Sequence, residues 1–444
     1  MLAQKNAYTV ANRINGHPTT LHGADGAILC FEKYAAVVER ADKAYSQDGG
    51  FSKFTASIDD FAQQMQDYAQ THNLKISPFD FDVFCDANQF AGTETPSERF
   101  GKVGVLDDYD NAHPLMDDID RRTTSGHFSV GYKDLDHLWR QIKVMTILTP
   151  TIYAAFASSP PCVEIKKKDV HSIVPKHQAK QMMKSDAQIE VVNQLRVPRA
   201  QLWTLSDANR TGIAPELATA IFDPKASFQT YVDMIVGKDD IGAGKSGSFQ
   251  NTINEGASNL ADYMQHVSTL WYDVRVDLIR LEVRSAGNAP WKSKALGALL
   301  TEMLLNEETL QKVESYIADQ NLSAEGVLSA RADVGTLGLK TTYGQTSVTA
   351  QSLLQGVTDI VMASTHDRDK TTSLQPLKSV LDAGKSDSDI LAEMEDDLKG
   401  DFKPFLNIPM TKLEPFVVMQ NKGTLDLYLN AKQRKPKYKK GLSL

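Results

Sequence analysis

The residues best suited to chemistry lie where charged side chains interrupt apolar, strand-like runs. In residues 270–284, Arg275, Glu282 and Arg284 stand among valines and leucines that predict buried strands. A buried charge must pair with another charge or bind a ligand, because removing it alone from water is costly. Two interpretations follow: an internal salt-bridge network, or a site in which Glu282 binds a metal ion and the arginines hold a phosphate or carboxylate.

A glycine-rich segment, residues 242–246, invites comparison with a phosphate-binding loop. That loop requires the pattern G-x-x-x-x-G-K-[ST], because its backbone N–H groups surround the phosphates. Here Asp239 occupies the position of the first glycine, and its negative charge opposes a phosphate. The sequence predicts no strand and helix that frame the segment, so the pattern favours a flexible loop.

The first stretch and a second one, residues 199–212, resemble segments of the bacterial and plant-type glutamate–cysteine ligase superfamily of ATP-dependent carboxylate–amine ligases. That family carries Trp/Phe-x-x-Val-Arg before a strand ending Leu-Glu-x-Arg. It also carries Tyr-Arg-Ser-x-x-Trp-x-x-x-Asp-x-x-Arg-Thr-Gly in a loop that faces substrate and nucleotide. The matching residues here are Trp271, Val274, Arg275, Leu281, Glu282 and Arg284 in the first stretch, and Arg199, Trp203, Asp207, Arg210, Thr211 and Gly212 in the second. Co-linear partial matches extend the resemblance over nearly the whole chain, to about residue 400.

The resemblance implies a fold of the α/β (α+β) class, with a large curved antiparallel sheet flanked by helices, like the catalytic fold of glutamine synthetase. It predicts a single domain over residues 1–430 and a basic C-terminal tail over residues 431–444. It also implies ATP and Mg²⁺ as cofactors, and an amide product of γ-glutamyl type formed through an acyl phosphate. The expected partners are small molecules, an amino-acid carboxylate and an amine, and a homo-oligomer is possible.

Site roles are carried over from the family position by position. Glu282 is expected to bind the metal, while Arg284, Arg210 and Arg275 act as catalytic residues on phosphate and carboxylate. The other residues expected to contact substrate or nucleotide are Arg199, Trp203, Asp207, Thr211, His127, Ser129 and Lys53.

The sequence departs from the family where its first strands supply metal-binding acids. Lys5 and Ala7 replace two acids, Lys53 replaces a third, and His127 and Ser129 replace a Gln-x-Asn pair. Mg²⁺ requires hard oxygen ligands, so these changes leave room for one metal at most, on Glu282. Two hypotheses therefore stay open: an active ligase with altered charge balance, and a catalytically decayed pseudo-ligase that acts as a scaffold or regulatory subunit.

Local patterns predict the elements that position these residues. Hydrophobic spacing and turn residues separate strands from helices along the chain. The predicted elements are a β-prone run at 5–15, a helix over 27–45, a strand over 51–55, a helix from Ser57 to about His72, loops over 76–135, a strand over 127–132, a helix from Leu135 to Ser158 with a kink at Pro150, a helix over 291–320, and helices near 346–364 and 388–398.

Composition limits the class of protein. The chain has 444 residues, 41% of them hydrophobic, so it can bury a large core. Its net charge of −8 makes nucleic acid an unlikely main partner, although six basic residues within 432–440 leave open a tail that binds an acidic partner or RNA. Cys30, Cys85 and Cys162 form neither a disulfide framework nor a metal pattern. No apolar run approaches the ~20 residues of a membrane span, and a cytoplasmic protein is expected.

Overall fold

The computed structural model describes residues 9–14, 17–22, 28–31, 38–41, 44–46, 49–84, 115, 122–241, 247–256, 258–276 and 279–429. Several residues and segments that the sequence analysis singled out lie outside these ranges. Among them are Lys5, Ala7, the glycine-rich segment 242–246 and the basic tail 431–444.

The fold is mixed α/β, and helices predominate. The first four strands form an antiparallel meander, β1 (Thr9–Ile14), β2 (His17–His22), β3 (Ile28–Phe31) and β4 (Val38–Ala41). The next elements are α1 (Gly50–Thr71), β5 (Gly126–Val130), α2 (Leu135–Ala155), β6 (Cys162–Lys167), β7 (Val170–Pro175), α3 (Lys176–Ser185), β8 (Ile189–Leu195), α4 (Pro198–Ser206), β9 (Thr211–Gly212), α5 (Pro215–Ala220), α6 (Phe228–Val236), α7 (Phe249–Asn254) and α8 (Leu260–Ser268).

The C-terminal half contains the remaining strands and a helical layer. Its strands are β10 (Trp271–Tyr272), β11 (Val274–Val276) and β12 (Leu281–Ala286). Its helices are α9 (Pro290–Leu305), α10 (Glu307–Asp319), α11 (Ala324–Leu337), α12 (Ala350–Ser364), α13 (Arg368–Ala383), α14 (Asp387–Glu393), α15 (Glu395–Leu398), α16 (Phe416–Asn421) and α17 (Thr424–Leu429), with 3₁₀ turns at Gly338–Lys340, Lys403–Asn407 and Met410–Lys412.

Helix α2 is the centre of the core, as its long apolar pattern predicts. Asp134 caps its N-terminus by accepting a hydrogen bond of 2.8 Å from the His137 N–H group. Pro150 lies inside the helix, and the helix packs against α11, α12 and β12. The predicted apolar face is fully buried at Leu138, Ile142, Met145, Leu148, Ile152 and Ala155.

Two small sheets bring the two sequence stretches together. Strands β11, β12 and β5 form an antiparallel sheet in which Glu282 lies opposite Arg275 on one side and Ser129 on the other. Strand β10 pairs in parallel with β9, so that Trp271 lies beside Thr211. Because β10 leads directly into β11, the chain around residue 211 lies next to the sheet that carries Glu282.

Four predictions of secondary structure are wrong. A helix was predicted over residues 27–45, but the described residues 28–31 and 38–41 of this range form β3 and β4, because short apolar runs fit either period. The predicted strand over 51–55 is the first turns of α1, which begins after Gly49 in the left-handed conformation (φ 64°). The predicted helix over 291–320 is two helices, since Asn306 ends α9 and caps α10.

The fourth wrong prediction is the helix near 388–398, which is two short helices, α14 and α15. The predicted strand near 127–132 and the predicted helix near 346–364 are confirmed as β5 and α12. The predicted single large curved sheet is also absent from the described residues, where the strands form four separate sheets of two to four strands. The broader expectation of a mixed α/β fold is confirmed.

Candidate functional site

A cluster of charges lies on one face of the β11–β12–β5 sheet. The Glu282 carboxylate accepts a hydrogen bond of 2.9 Å from Arg275 Nε and forms an ion pair with Arg275 Nη2 at 2.7 Å. It also accepts one from Arg284, at 3.2 Å to Nη1. Arg275 reaches it because the two residues are register partners, and Arg284 because residues two apart on a strand share a face. The structure thus brings together three of the predicted site residues.

Electrostatics in this cluster favour an ionised Glu282. Burial alone would raise the pKa of this carboxyl group, which is 8% exposed. The contact with His127 and the charges of Arg284 and Arg275 outweigh burial and hold the pKa far below its usual range. Burial, followed by repulsion from Arg284, lowers the pKa of Arg275. Two guanidinium groups therefore share one carboxylate, and a net positive charge remains.

Strand β5 places His127 at the edge of this cluster. His127 Nδ1 lies 3.4 Å from Glu282 Oε1, and its side chain is 29% exposed. His127 Nε2 lies 2.8 Å from the hydroxyl of Ser125, a residue that the sequence did not single out. The i, i+2 spacing at the start of a strand is the signal that would have found it. Ser129, the register partner of Glu282, is exposed.

Arg199 supports the cluster from helix α4. Its guanidinium donates hydrogen bonds to the main-chain carbonyl groups of Arg284, at 2.5 Å, and Ser285, at 3.1 Å. It is 2% exposed, and it lies over the Tyr153 ring at 5.2 Å from the centroid. These contacts fix the backbone of β12, and the predicted contact of Arg199 with substrate stays a prediction.

The other residues of the second stretch hold the loop before β9. Arg210 donates to the carbonyl of Thr269 at 3.1 Å and to the carbonyl of Asp239. The Thr211 hydroxyl donates to the carbonyl groups of Trp203 and Asp207, both at 2.7 Å. Arg210, Trp203 and Thr211 are buried, at 4%, 7% and 3% exposure. These contacts give the stretch a structural role, and the predicted contacts with substrate or nucleotide stay predictions.

A buried network that the sequence did not reveal lies directly behind β11. Asp273 accepts hydrogen bonds from Arg331 Nε at 2.5 Å and from the Tyr153 hydroxyl at 2.7 Å. Its main-chain N–H group donates to the carbonyl of Gly212. Burial, and then the charge of Asp273, raises the pKa of Tyr153, which keeps the phenol protonated. An aspartate between Tyr272 and Val274 was the available signal.

A second buried charge pair lies in the C-terminal half. Lys292 Nζ is 3.9 Å from Asp387 and donates to the carbonyl of Phe156 at 2.8 Å. Asp387 accepts a hydrogen bond of 2.6 Å from the Phe416 N–H group. Burial raises the pKa of Asp387 to about 6; Lys292 and the Phe416 N–H group oppose this rise, and Asp80 adds to it.

Lys53 does not lie on a strand, which corrects the position that resemblance gave it. It is an exposed residue on the first turn of helix α1. The adjacent Phe54 packs edge-to-face on Phe128 of β5, with ring centroids 5.4 Å apart. The predicted role of Lys53 in binding substrate or nucleotide stays a prediction.

The donors in the cluster fit an anion better than a metal cation. Both carboxylate oxygens of Glu282 already have partners, Oε2 with two arginines and Oε1 with His127. Within the described ranges, no three His, Cys, Asp or Glu side chains come together in a way that could hold a metal ion. Paired guanidinium groups match the planar oxygens of a carboxylate or phosphate. None of the described helices has the length and apolarity that a membrane crossing requires.

A mixed α/β fold with a partly exposed arginine–glutamate cluster defines a candidate anion-binding protein. Residues 106–407 match glutamate-cysteine ligase family 2 (GCS2), and because this match spans most of the chain, the protein belongs to that family. The chloroplastic glutamate–cysteine ligase of Medicago truncatula is 29% identical in an alignment of 165 residues that covers 33% of this chain and 30% of the relative. Chloroplastic glutamate–cysteine ligase A of Oryza sativa subsp. indica is 27% identical in an alignment of 175 residues that covers 35% of this chain and 34% of the relative. Each alignment therefore covers about a third of the relative's length.

Proposed function

We propose that the protein is an ATP-dependent carboxylate–amine ligase that forms an amide bond of γ-glutamyl type. Membership of the glutamate–cysteine ligase family supports the reaction class. The observation that carries the proposal is the pair Arg275 and Arg284 on one carboxylate, with side chains 17% and 14% exposed. These groups can still reach an anionic ligand, and their excess positive charge favours phosphate or carboxylate.

The proposed reaction has two balanced steps. A substrate carboxylate oxygen attacks the γ-phosphorus of ATP, the bond to the β,γ-bridging oxygen breaks, and ADP leaves. The amine nitrogen then attacks the acyl carbon, loses a proton, and inorganic phosphate departs. In this scheme Arg275 and Arg284 bind the transferring phosphate or the substrate carboxylate, and Glu282 fixes both guanidinium groups in place. No step is assigned to Mg²⁺, because Glu282 as arranged does not fit it.

The paired state of Glu282 also favours a second candidate, the pseudo-ligase. A carboxylate bound by two arginines is not free to coordinate a metal, and phosphoryl transfer usually relies on metal ions to neutralise charge. In this alternative the fold is kept as a scaffold or regulatory subunit. A glutamine synthetase-like arrangement of the whole protein, a cytoplasmic location and a homo-oligomer belong to the proposal as well.

The test measures ATP-dependent amide formation directly. Purified protein is incubated with ATP, Mg²⁺, glutamate and cysteine, then with a panel of other acidic amino acids and amines, and ADP and amide are quantified by mass spectrometry. We expect Arg275→Met and Arg284→Met to lose at least about tenfold in rate, since each removes a charged anion contact. The matched control is Arg140→Met, because Arg140 pairs with Glu307 and Glu314 away from Glu282 and is 25% exposed.

Product analysis, together with calorimetric titration of ATP binding, separates the ligase from the pseudo-ligase. ATP binding accompanied by product in the panel supports the ligase. Absence of product with every pair of substrates, in a folded protein, rejects it. Titrations with Mg²⁺ and with EDTA then show whether binding depends on the metal. ATP binding that changes little with EDTA would agree with a site whose positive charge comes from arginines. Strong dependence on Mg²⁺ would show that acids outside the described residues complete a metal site.

A further inference from the structure

Three side chains at the edge of the charge cluster form a line of contacts that ligation does not require. Ser125 Oγ lies 2.8 Å from His127 Nε2, and His127 Nδ1 lies 3.4 Å from Glu282 Oε1. Ser125 is half-buried and the His127 side chain is 29% exposed, so solutes can reach both. A hydroxyl, an imidazole and a carboxylate in this order are the three groups of a nucleophile, a base and an orienting acid.

The contacts select one tautomer of His127. An ionised carboxylate only accepts hydrogen bonds, so the Nδ1–H group faces Glu282. Nε2 is then the unprotonated nitrogen and accepts the hydrogen bond from Ser125. Arg275 and Arg284 hold Glu282, and β-sheet pairing holds the strand of His127 beside it. The base is therefore oriented before any substrate binds.

We propose that Ser125, His127 and Glu282 form a second catalytic device, one that hydrolyses acyl compounds without nucleotide. The Ser125 oxygen attacks the carbonyl carbon while its proton passes to His127 Nε2. Collapse of the tetrahedral adduct expels the alcohol, thiol or amine, which takes that proton. Water then attacks the acyl-serine, again through His127, and releases the acid. The proton returns to Ser125, so the sequence balances with water as its only co-reactant.

The neighbouring arginines indicate the substrate class. Arg284 and Arg275 lie on the same carboxylate that His127 contacts, and they carry more positive charge than Glu282 neutralises. An acyl group with a free carboxylate a few carbon atoms from the carbonyl would place its charge near them. The expected substrates are esters, thioesters or amides of dicarboxylic acids or of acidic amino acids.

Covalent labelling of the full chain tests the proposal without ATP. An alkyl fluorophosphonate is added, and the adduct is located by intact-mass and peptide mass spectrometry. We expect a single adduct on Ser125, its loss in Ser125→Ala, and labelling at least about 100-fold slower in His127→Gln, as for removal of a general base. Ser379→Ala and His366→Gln are the controls, because Ser379 donates to the carbonyl of Gln375 within its own helix and His366 lies in an exposed loop. Both controls should label at the wild-type rate.

Turnover is measured in parallel with mono(4-nitrophenyl) glutarate and 4-nitrophenyl butyrate, which differ in the free carboxylate. We expect the glutarate ester to be preferred at least about tenfold and the preference to fall in Arg284→Met. No adduct on folded wild-type protein, an adduct at another residue, or undiminished labelling in His127→Gln overturns the triad. Equal rates for the two esters overturn the substrate class. Ligation is assayed separately with ATP, so failure of either activity leaves the other result interpretable.

Discussion

At the scale of the residue, Glu282 makes closer contacts with Arg275 than with Arg284. Arg275 approaches from the neighbouring strand with two short contacts, at 2.9 and 2.7 Å, while Arg284 makes one at 3.2 Å. Removing one partner of a buried ion pair costs more than a lost surface contact, because the remaining charge stays desolvated. The two arginines should therefore differ in how much they stabilise the fold.

The change from Arg275 to methionine should lower the free energy of unfolding by about 3 kcal/mol, within the usual cost of breaking a buried pair. The same change at Arg284 should cost roughly 1 kcal/mol, the value of a single hydrogen bond, since Arg275 still neutralises Glu282. Urea denaturation of both variants near neutral pH measures the difference. Equal losses, or a larger loss at Arg284, would show that the contact distances do not rank the two partners.

At the scale of the element, Gly297 sets how closely helix α9 approaches the strand that carries His127. A Cβ atom at this position would lie 2.6 Å from the Phe54 ring and 2.8 Å from the Phe128 ring. These two rings form the edge-to-face pair between α1 and β5. Three elements therefore meet at a point where only a hydrogen atom fits.

We expect Gly297→Ala to destabilise the protein by up to about 2 kcal/mol. Alanine gains roughly 1 kcal/mol in helix propensity over glycine, but the two rings must move, and overpacking of this kind costs about 1–3 kcal/mol. Displacement of Phe128 should also slow the labelling of Ser125, because Phe128 lies next to His127 on β5. Thermal melts read together with the labelling rate of Ser125 check both effects. The control is Gly131→Ala, where an added Cβ meets nothing within 4 Å.

Elements with a long, regular spacing of apolar residues were predictable from sequence. Elements whose ends depend on contacts or cap conformations were not. Helix α2 and strand β5 were predicted near their observed bounds, because apolar spacing alone specifies them. The break at Asn306 and the start of α1 at Gly49 depend on cap conformations that hydrophobic period does not encode. In the site, the pairing of Arg275 with Glu282 was one of two open interpretations. Ser125 was missed because it stands before strand β5, and its contact with His127, two residues further on, depends on the side-chain conformations there.

At the scale of the whole molecule, two buried carboxyl groups give opposite pH dependences of stability. Glu282 has a lowered pKa, so its stabilisation is present above the ordinary value of 4.5 and is lost as the pH falls below it. Asp387 has a pKa raised from 3.8 to about 6, so its contribution is present at low pH and is lost as the pH rises through that range. Taken together, the contributions of these two groups favour mildly acidic solution.

The variant Asp387→Asn should flatten the curve of stability against pH between about 4 and 6. A shift of two units corresponds to up to about 3 kcal/mol, since each unit is worth about 1.4 kcal/mol. The measurement is the free energy of unfolding at half-unit steps of pH for wild type and variant. Asp382→Asn, on an exposed carboxylate paired with Lys378, serves as the control. Parallel curves for wild type and Asp387→Asn would assign the dependence to other groups.

The excess positive charge around Glu282 has a kinetic consequence, because it is embedded in a protein with a net charge of −8. An approaching anion meets repulsion at long range and attraction only over the last several ångströms. Mobile ions screen beyond about 8 Å at physiological ionic strength, so they weaken the repulsion more than the final contact. The association rate of an anionic ligand with the protein, measured by stopped-flow mixing, should therefore rise from low to moderate salt concentration. A steep fall with salt, as for ligands steered by a basic surface, would show that attraction extends far beyond the cluster.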